Sequence, residues 1–193
     1  HSTAMMKKST AILVPAVLTA AAAATAYAAY SAVSRRRLHS SNGQIILITG
    51  GSRGLGLALA ERYASAGARL VLAARNQDEL ARARQTLLER NAIQSPEDVL
   101  LIPCDLTDAA QATTLIEHAI DHFGRIDVLI NNAGIIEVGP IEDQPLAAYR
   151  RAMATNFFAA LYTTHAALPH LLDRKRELGD AAIVNIASVG GKF

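Results

Sequence analysis

The chain has 193 residues, 51% of them hydrophobic, and a formal net charge of only +2 at pH 7. This near-neutral balance gives a nucleic-acid partner no electrostatic support, so we expect none. The single cysteine, Cys104, excludes an intrachain disulfide and predicts a buried packing residue at a strand end. The last 150 residues are long enough to form one domain with a sizeable core.

The first part of the chain differs from the rest. Residues 1–4 resemble an expression-tag scar, residues 5–37 form a hydrophobic N-terminal segment, and residues 38–43 form a short polar linker. The stretch 9–34 carries no charged residue and lies between two lysines and an arginine triplet. As a helix it would be about 39 Å long, enough to cross a hydrocarbon core of roughly 30 Å.

We expect the segment 5–37 to be an uncleaved membrane anchor, with the triplet Arg35-Arg36-Arg37 and the following domain on the cytoplasmic side. Two alternatives stay open. Ala26-Tyr27-Ala28 resembles the cleavage site of a secretory signal peptide. The alanine-rich stretch is also compatible with a disordered segment or a helix lying on a surface.

Apolar strands alternate with helical patterns through residues 44–193. The predicted strands are Gln44–Thr49, Arg69–Ala73, Val99–Cys104, Asp127–Asn131 and Ala181–Ala187. The predicted helices are Leu55–Ser65, Gln77–Arg90, Asp108–Phe123 and Pro145–Leu172, and Asp173–Asp180 is expected to be a solvated loop. This order predicts an α/β fold, a doubly wound (Rossmann-type) parallel sheet with its ligand crevice at the carboxyl ends of the strands.

A glycine-rich turn joins the first predicted strand to the first predicted helix. Its glycines let the backbone approach a pyrophosphate, and the helix N-terminus presents N–H groups to it. The spacing Gly-x3-Gly-x-Gly has no Gly-Lys-Ser/Thr ending, which argues against an ATPase or a GTPase. The turn therefore predicts a nucleotide cofactor, bound by Gly50, Ser52, Arg53, Gly54, Leu55 and Gly56.

The end of the second strand indicates which cofactor. A carboxylate there would hold the ribose 2′-hydroxyl of NAD, but this chain has Ala73-Ala74-Arg75, with Asp78 and Glu79 a turn further on. Arg75 and Arg53 of the glycine turn provide two guanidinium groups for a 2′-phosphate. We therefore predict NADP(H); the alternative is that both arginines are surface residues in weak ion pairs.

Further motifs follow the later strands in order: Asp105, Asn131-Asn132-Ala133-Gly134, Asn156 in the long helix, and Ser188. With the glycine turn, they make the chain resemble the classical short-chain dehydrogenase/reductase family from Gln44 to Phe193. The resemblance implies that Asp105, with Leu106 beside it, binds the adenine. It also implies that Asn131 braces the sheet, and that Asn132, Ala133 and Gly134 leave room for the adenosine ribose. Asp105 or Thr107 is also a suitable helix cap.

The resemblance also implies catalytic roles. Asn156 would organise a water and a lysine, and Ser188 would hydrogen-bond the reacting oxygen. The family's tyrosine and lysine four residues apart are missing, since no tyrosine here is followed by lysine at that spacing. We therefore expect an inactive portion of a longer NADP(H)-dependent oxidoreductase, lacking the last strands of its sheet, with the fifth strand left as an apolar edge. The alternative is a naturally short, non-catalytic sensor or scaffold that binds NADP(H).

The resemblance implies a small carbonyl or alcohol substrate, and the predicted anchor points to a lipid-like one. It further implies a homo-oligomer formed through the long helix. A rival motif, His118 and His122 with Glu117 and Asp121, has a spacing that can bind zinc. The apolar face of the same helix places both histidines on its solvated side, so we expect no metal.

Overall fold

The computed structural model describes residues 41–137, 139–178 and 181–188, without the side chains of residues 175–178. The predicted tag scar and the hydrophobic segment 5–37 lie outside these residues. Within the described ranges, no helix has both the length and the apolar character needed to cross a membrane.

Five parallel strands form the sheet within the described residues. They are β1 (Ile45–Thr49), β2 (Arg69–Ala74), β3 (Val99–Pro103), β4 (Val128–Asn131) and β5 (Ala182–Asn185). Their spatial order is β3-β2-β1-β4-β5, and Ile46 at the centre lies opposite Leu70 of β2 and Val128 of β4. The order reverses between β1 and β4, which confirms the predicted doubly wound sheet and places a crevice at that point.

In the part of the chain that the structure describes, the connections between strands contain five α-helices. They are α1 (Gly54–Ala64), α2 (Gln77–Glu89), α3 (Ala109–Phe123), α4 (Leu146–Met153) and α5 (Ala159–Leu178), and a short 3₁₀ turn at Pro96–Asp98 precedes β3. The single long helix predicted over Pro145–Leu172 is interrupted by a π-helical turn, Ala154–Phe158, between α4 and α5. The predicted loop at Asp173–Asp180 is wrong over its first part, because α5 continues to Leu178.

The core has a layer on each face of the sheet. Successive side chains of a strand point to opposite faces, and every residue of β1 is buried. Ile45 and Leu47 pack in the layer that includes α3 and α5, whereas Ile46 and Ile48 pack in the layer that includes α1 and α2. Burial on both faces explains why β1 is a continuous apolar run rather than an alternating one.

Asp127 is a buried acid at the start of β4. Its Oδ2 accepts hydrogen bonds from the Ile45 N–H at 2.8 Å and from Nε of Arg125 at 3.1 Å, and its Oδ1 accepts one from Nε of Arg174. Arg174 lies in the segment that charge alone predicted to be a solvated loop. The hydrogen bond from Arg174 to the buried Asp127 stabilises the helix beyond Leu172.

The two ends of the described domain differ in how they contact the rest of it. Residues 41–43 of the predicted linker contact the domain: Ser41 is buried, and the N–H of the exposed Gly43 donates to the Gly67 carbonyl at 2.8 Å. At the other end, β5 pairs with β4 alone among the described strands, and Val184 is 37% exposed. The predicted exposed apolar edge is therefore present in this part of the chain.

Candidate functional site

A cavity of about 640 Å³ opens at the carboxyl ends of the strands. Its volume is within the usual range for small-molecule and cofactor sites. All the residues predicted to bind cofactor except Gly54 line it, namely Gly50, Ser52, Arg53, Leu55, Gly56, Arg75, Asp105, Leu106, Asn132, Ala133 and Gly134. Motifs distant in sequence thus meet around one space, as expected for a crevice at a topological switch point.

The glycine turn is shaped by close backbone contacts. Gly50 has a φ of +65°, a conformation that favours glycine, and its N–H donates to the Ala73 carbonyl at 2.7 Å. A Cβ added to Gly56 would lie 2.2 Å from the Gly50 carbonyl oxygen. Gly56 is therefore required for the first turn of α1 to pack against the turn that precedes it.

The N-terminus of α1 has uncapped N–H groups that can bind an anion. Arg53, the residue before the helix, makes no side-chain hydrogen bond to the N–H groups of the first turn. By contrast, Asn76 accepts hydrogen bonds from the Asp78 and Glu79 N–H groups at the start of α2. Uncapped N–H groups and the helix dipole together favour a phosphate at the end of α1 that faces the cavity.

Thr49 and Asn132 hold the glycine turn against β4. The Asn132 and Ala133 N–H groups donate to Thr49 Oγ1 at 2.9 and 3.0 Å. In return, Nδ2 of Asn132 donates to the carbonyl oxygens of Thr49 and Gly50 at 3.0 and 3.2 Å. These reciprocal bonds fix the distance between two walls of the cavity.

Asp105 lines the cavity, but it is not a helix cap. Its Oδ1 accepts hydrogen bonds from the Thr107 N–H at 3.0 Å and the Thr107 hydroxyl at 2.8 Å. The cap of α3 is Asp108, whose carboxylate accepts a hydrogen bond from the Ala110 N–H, and this bond lowers the pKa of Asp108. The prediction that Asp105 or Thr107 caps this helix was wrong, because the local turn at Asp105 delays the helix start to Ala109.

Cys104 is buried, as predicted, and also lines the cavity. Burial, and secondarily the charge of Asp105, raises the pKa of its thiol from 9.0 to about 11. The thiolate is the reactive form of cysteine. Cys104 is therefore a packing residue in the cavity wall and not a nucleophile at neutral pH.

One end of the cavity is basic. Arg53, Arg75, Asn76 and Glu79 all contribute to its lining. Glu79 Oε1 lies 3.7 Å from Nη1 of Arg53, and Glu79 Oε2 accepts a hydrogen bond from the Ser52 hydroxyl at 3.1 Å. The two arginines were predicted from the sequence to belong to the site, whereas Asn76 and Glu79 were not. An Asn-x-x-Glu pattern after a strand is typical of the start of a helix, and this signal could have placed Asn76 and Glu79 near the end of β2.

Asn156 lies in the π-helical turn beside the cavity, and its side chain is engaged by the loop after β4. Oδ1 accepts a hydrogen bond from the Ile135 N–H at 2.8 Å, and Nδ2 donates to the Ile135 carbonyl at 3.0 Å. Because both ends of the amide are used, the side chain positions the loop. π-Helical turns occur often at functional sites, and Thr155 of this turn lines the cavity.

Asn131 joins β4 to β5 and α5. Its Nδ2 donates to Asn185 Oδ1 at 2.8 Å and to Thr164 Oγ1 at 2.9 Å, and its Oδ1 accepts from the Thr163 hydroxyl at 2.7 Å. These bonds give Asn131 the bracing position that the resemblance implied. Ser188 follows β5 on the same side of the sheet, but it is not part of the cavity lining.

His118 and His122 are exposed on α3, the solvated side predicted for them. Among the residues that the structure describes, no group of three or more histidine, cysteine, aspartate or glutamate side chains is placed to hold a metal ion.

Comparison with known proteins agrees with this geometry. The family model described as short chain dehydrogenase matches residues 44–193. The dehydrogenase/reductase SDR family protein 7-like of Anopheles gambiae is 38% identical over 159 residues, which are 82% of this chain and 49% of that protein. The dehydrogenase/reductase SDR family member 7 of Homo sapiens is 33% identical over 147 residues, or 76% of this chain and 42% of that protein. The chain spans about half the length of these curated relatives.

Two solved structures share the fold. An NADH-dependent reductase A1-R′ complexed with NAD aligns with a TM-score of 0.72 and 30% identity, covering 80% of this chain and 64% of that one. The L-sorbose reductase of Gluconobacter frateurii, complexed with NADPH and L-sorbose, aligns with a TM-score of 0.68 and 30% identity, covering 77% of this chain and 53% of that one. Sheet order, glycine turn and family match agree, and the chain belongs to the short-chain dehydrogenase family.

Proposed function

We propose that this chain binds NADP(H) and is the cofactor-binding part of an oxidoreductase that interconverts a carbonyl and an alcohol. The observation that carries the proposal is the cavity, which combines an uncapped helix start with two arginines at one end. Similar structures are complexed with NAD in one case and with NADPH in another. The preference for NADP(H) rests on Arg53 and Arg75, and on the absence of an acid directly after β2.

The residues fit the parts of such a cofactor. The N–H groups at the start of α1 would hold the pyrophosphate. Asp105 and Leu106 would receive the adenine, and Asn132, Ala133 and Gly134 would border the adenosine ribose. Arg53 and Arg75 would bind the 2′-phosphate through charge-assisted hydrogen bonds. NADP(H) itself supplies or accepts the hydride.

At the reacting end, Asn156 would keep the loop after β4 in place, and Ser188 would hydrogen-bond the reacting oxygen. A carbonyl that accepts hydride also needs a proton donor tuned to act near neutral pH. No tyrosine in these 193 residues is followed by a lysine four positions on. We therefore propose the activity for the whole protein and expect no turnover from these residues alone.

We also propose a location, a substrate class and an oligomeric state for the protein. We propose that residues 5–37 anchor the protein in a membrane, with the domain beginning near residue 44 on the cytoplasmic side, where the nicotinamide cofactor is available. The substrate would be a small carbonyl or alcohol compound of lipid-like character. Exposed apolar side chains along the helical segment that includes α4 and α5 support a homo-oligomer, and they are Met153, Phe157, Leu161, Leu168 and Leu172.

Calorimetric titration of the full chain, kept in a mild non-ionic detergent, with NADPH and NADH in parallel tests the cofactor site. We expect NADPH to bind more tightly, and Arg75→Ala to remove that difference. Arg82→Ala is the matched control, because Arg82 is an exposed arginine on α2 that does not line the cavity. If a folded sample binds neither nucleotide, the proposed cofactor site is wrong.

A further inference from the structure

Glu79 is a negative charge inside the basic end of the cavity. It lies in the first turn of α2, with a side chain that is 29% exposed, and lines the cavity with Arg53 and Arg75. Its neighbour Asp78 is exposed and is not part of the lining. The carboxylate at position 79 is therefore the one that a ligand at this end would meet.

The contacts of Glu79 engage groups that a 2′-phosphate would otherwise use. The Ser52 hydroxyl has a single proton, and it donates that proton to Glu79 Oε2 at 3.1 Å. Oε1 of the same carboxylate is 3.7 Å from Nη1 of Arg53. A phosphate that binds Arg53 would have to share this guanidinium with Glu79 and lie near a like charge, which disfavours it.

An unphosphorylated ribose would interact favourably with the Glu79 carboxylate. A 2′-hydroxyl is neutral and can donate a hydrogen bond to a carboxylate, as an acid at the end of β2 does in NAD sites. Arg53 and Arg75 thus favour the phosphorylated cofactor, while Glu79 opposes it and suits the unphosphorylated one. The residues with these opposite preferences, Arg53 and Arg75 on one hand and Glu79 on the other, line the same end of the cavity.

We infer that Glu79 is a specificity-determining residue, which limits the preference for NADP(H) and allows NAD(H) to bind as well. The inference rests on the proposed cofactor site. Removing the charge while keeping the size of the side chain isolates its effect, because glutamine still accepts a hydrogen bond from Ser52.

The test compares Glu79→Gln with wild type by calorimetric titration of the full chain in detergent with NADPH and NADH. We expect Glu79→Gln to tighten NADPH binding by about two- to fivefold, the size of one charge interaction at a partly exposed site. NADH binding should be unchanged or weaker. Asp78→Asn is the matched control, since it makes the same change of net charge one residue away, outside the cavity, and should alter neither affinity.

A second pair of probes, adenosine 2′,5′-bisphosphate and adenosine 5′-monophosphate, repeats the comparison without the nicotinamide half. If Glu79→Gln does not fold by circular dichroism, Glu79→Ala is tested in the same way. An unchanged ratio of NADPH to NADH affinity in a folded variant would overturn the inference and leave the cofactor site intact. Failure of folded wild-type protein to bind either nucleotide would overturn both.

Discussion

Arg174 in α5 donates a hydrogen bond from Nε to Oδ1 of Asp127, a carboxylate with no exposed surface at the start of β4. Asp127→Asn would leave this guanidinium and that of Arg125 without a charged partner. Breaking a buried ion pair by changing one member commonly costs about 3–5 kcal/mol. We expect the free energy of unfolding to fall by roughly 3 kcal/mol, measured by urea denaturation with circular dichroism.

The control is an exposed ion pair, Arg151 with Glu137, whose Nε–Oε1 distance is 3.1 Å. Arg151→Met should cost less than about 1 kcal/mol, as exposed pairs usually do. Equal losses in the free energy of unfolding for Asp127→Asn and Arg151→Met would show that burial does not make the Asp127 ion pair more stabilising than an exposed one.

Gly56→Ala should damage the cofactor site and the fold together. The added methyl group would lie 2.2 Å from the Gly50 carbonyl oxygen and 2.6 Å from Nδ2 of Asn132, so the glycine turn or α1 must move. We expect a loss of stability of about 1–3 kcal/mol, typical of overpacking, and no measurable NADPH binding. Thermal melting and calorimetric titration report the two effects separately.

Gly124 provides a matched comparison for that substitution. It has a φ of +78° at the end of α3, and a Cβ there would meet no atom within 4 Å. Gly124→Ala should cost about 1–2 kcal/mol from backbone strain and leave nucleotide affinity unchanged. Normal NADPH binding by Gly56→Ala would contradict the close packing described for the glycine turn.

Asn156 should control the order of the loop after β4. Asn156→Ala removes both hydrogen bonds to Ile135, so we expect the Ile135 amide to exchange with deuterium faster than in wild type. Asn156→Asp keeps an acceptor for the Ile135 N–H but places a carboxylate oxygen against the Ile135 carbonyl. Its exchange should be intermediate, and identical exchange in all three proteins would rule out the positioning role.

The thiol of Cys104 should make stability depend on alkaline pH. Its pKa is raised to about 11 in the folded chain from 9.0. The folded state therefore retains the proton longer than the unfolded state does, and stability is lost as the pH rises from about 9 through about 11. Urea denaturation of wild type and Cys104→Ala across this range should show that the variant lacks this component of the decline.

Alkylation gives an independent measure of the same thiol, since the chain has one cysteine. Iodoacetamide should modify Cys104 slowly in the native protein at pH 8 and quickly in urea. Bound NADPH should slow the native reaction further, because Cys104 lines the cavity. Equal native and denatured rates would contradict its burial.

The sheet could be predicted from the sequence because each buried strand is an apolar run with a turn motif at its carboxyl end. Burial on both faces gives β1 a pattern that no amphipathic helix has. The glycine turn, Arg75 and Asp105 were locatable for the same reason, since the ends of parallel strands meet at one edge of the sheet. Local pattern and fold agree at these positions.

The wrong or missing predictions concern residues whose structure involves a contact with a residue distant in the sequence. Charge near Asp173 indicated a loop, but Arg174 has an acid within the core that lies 47 residues earlier in the chain. Asn156 in the π-helical turn bonds the backbone of Ile135, 21 residues earlier in the chain, and nothing in the apolar period of that helix indicates the turn. Glu79 received no role in the site from the sequence, because its contact with Ser52 exists only once the glycine turn is folded.

The basic end of the cavity is lined by one continuous stretch of chain, residues 50–79, whereas the other lining residues come from 104–107 and 132–136 and include Thr155 and Ala159. Under the proposed function, substitutions of the exposed Arg53 and Arg75 would change which dinucleotide binds, and they would leave the bonds from Asn132 to Thr49 and Gly50 in place. Under the proposed function, cofactor preference would therefore change without alteration of the π-helical turn, and residues 50–79 are the segment to exchange between members of the family in order to test this.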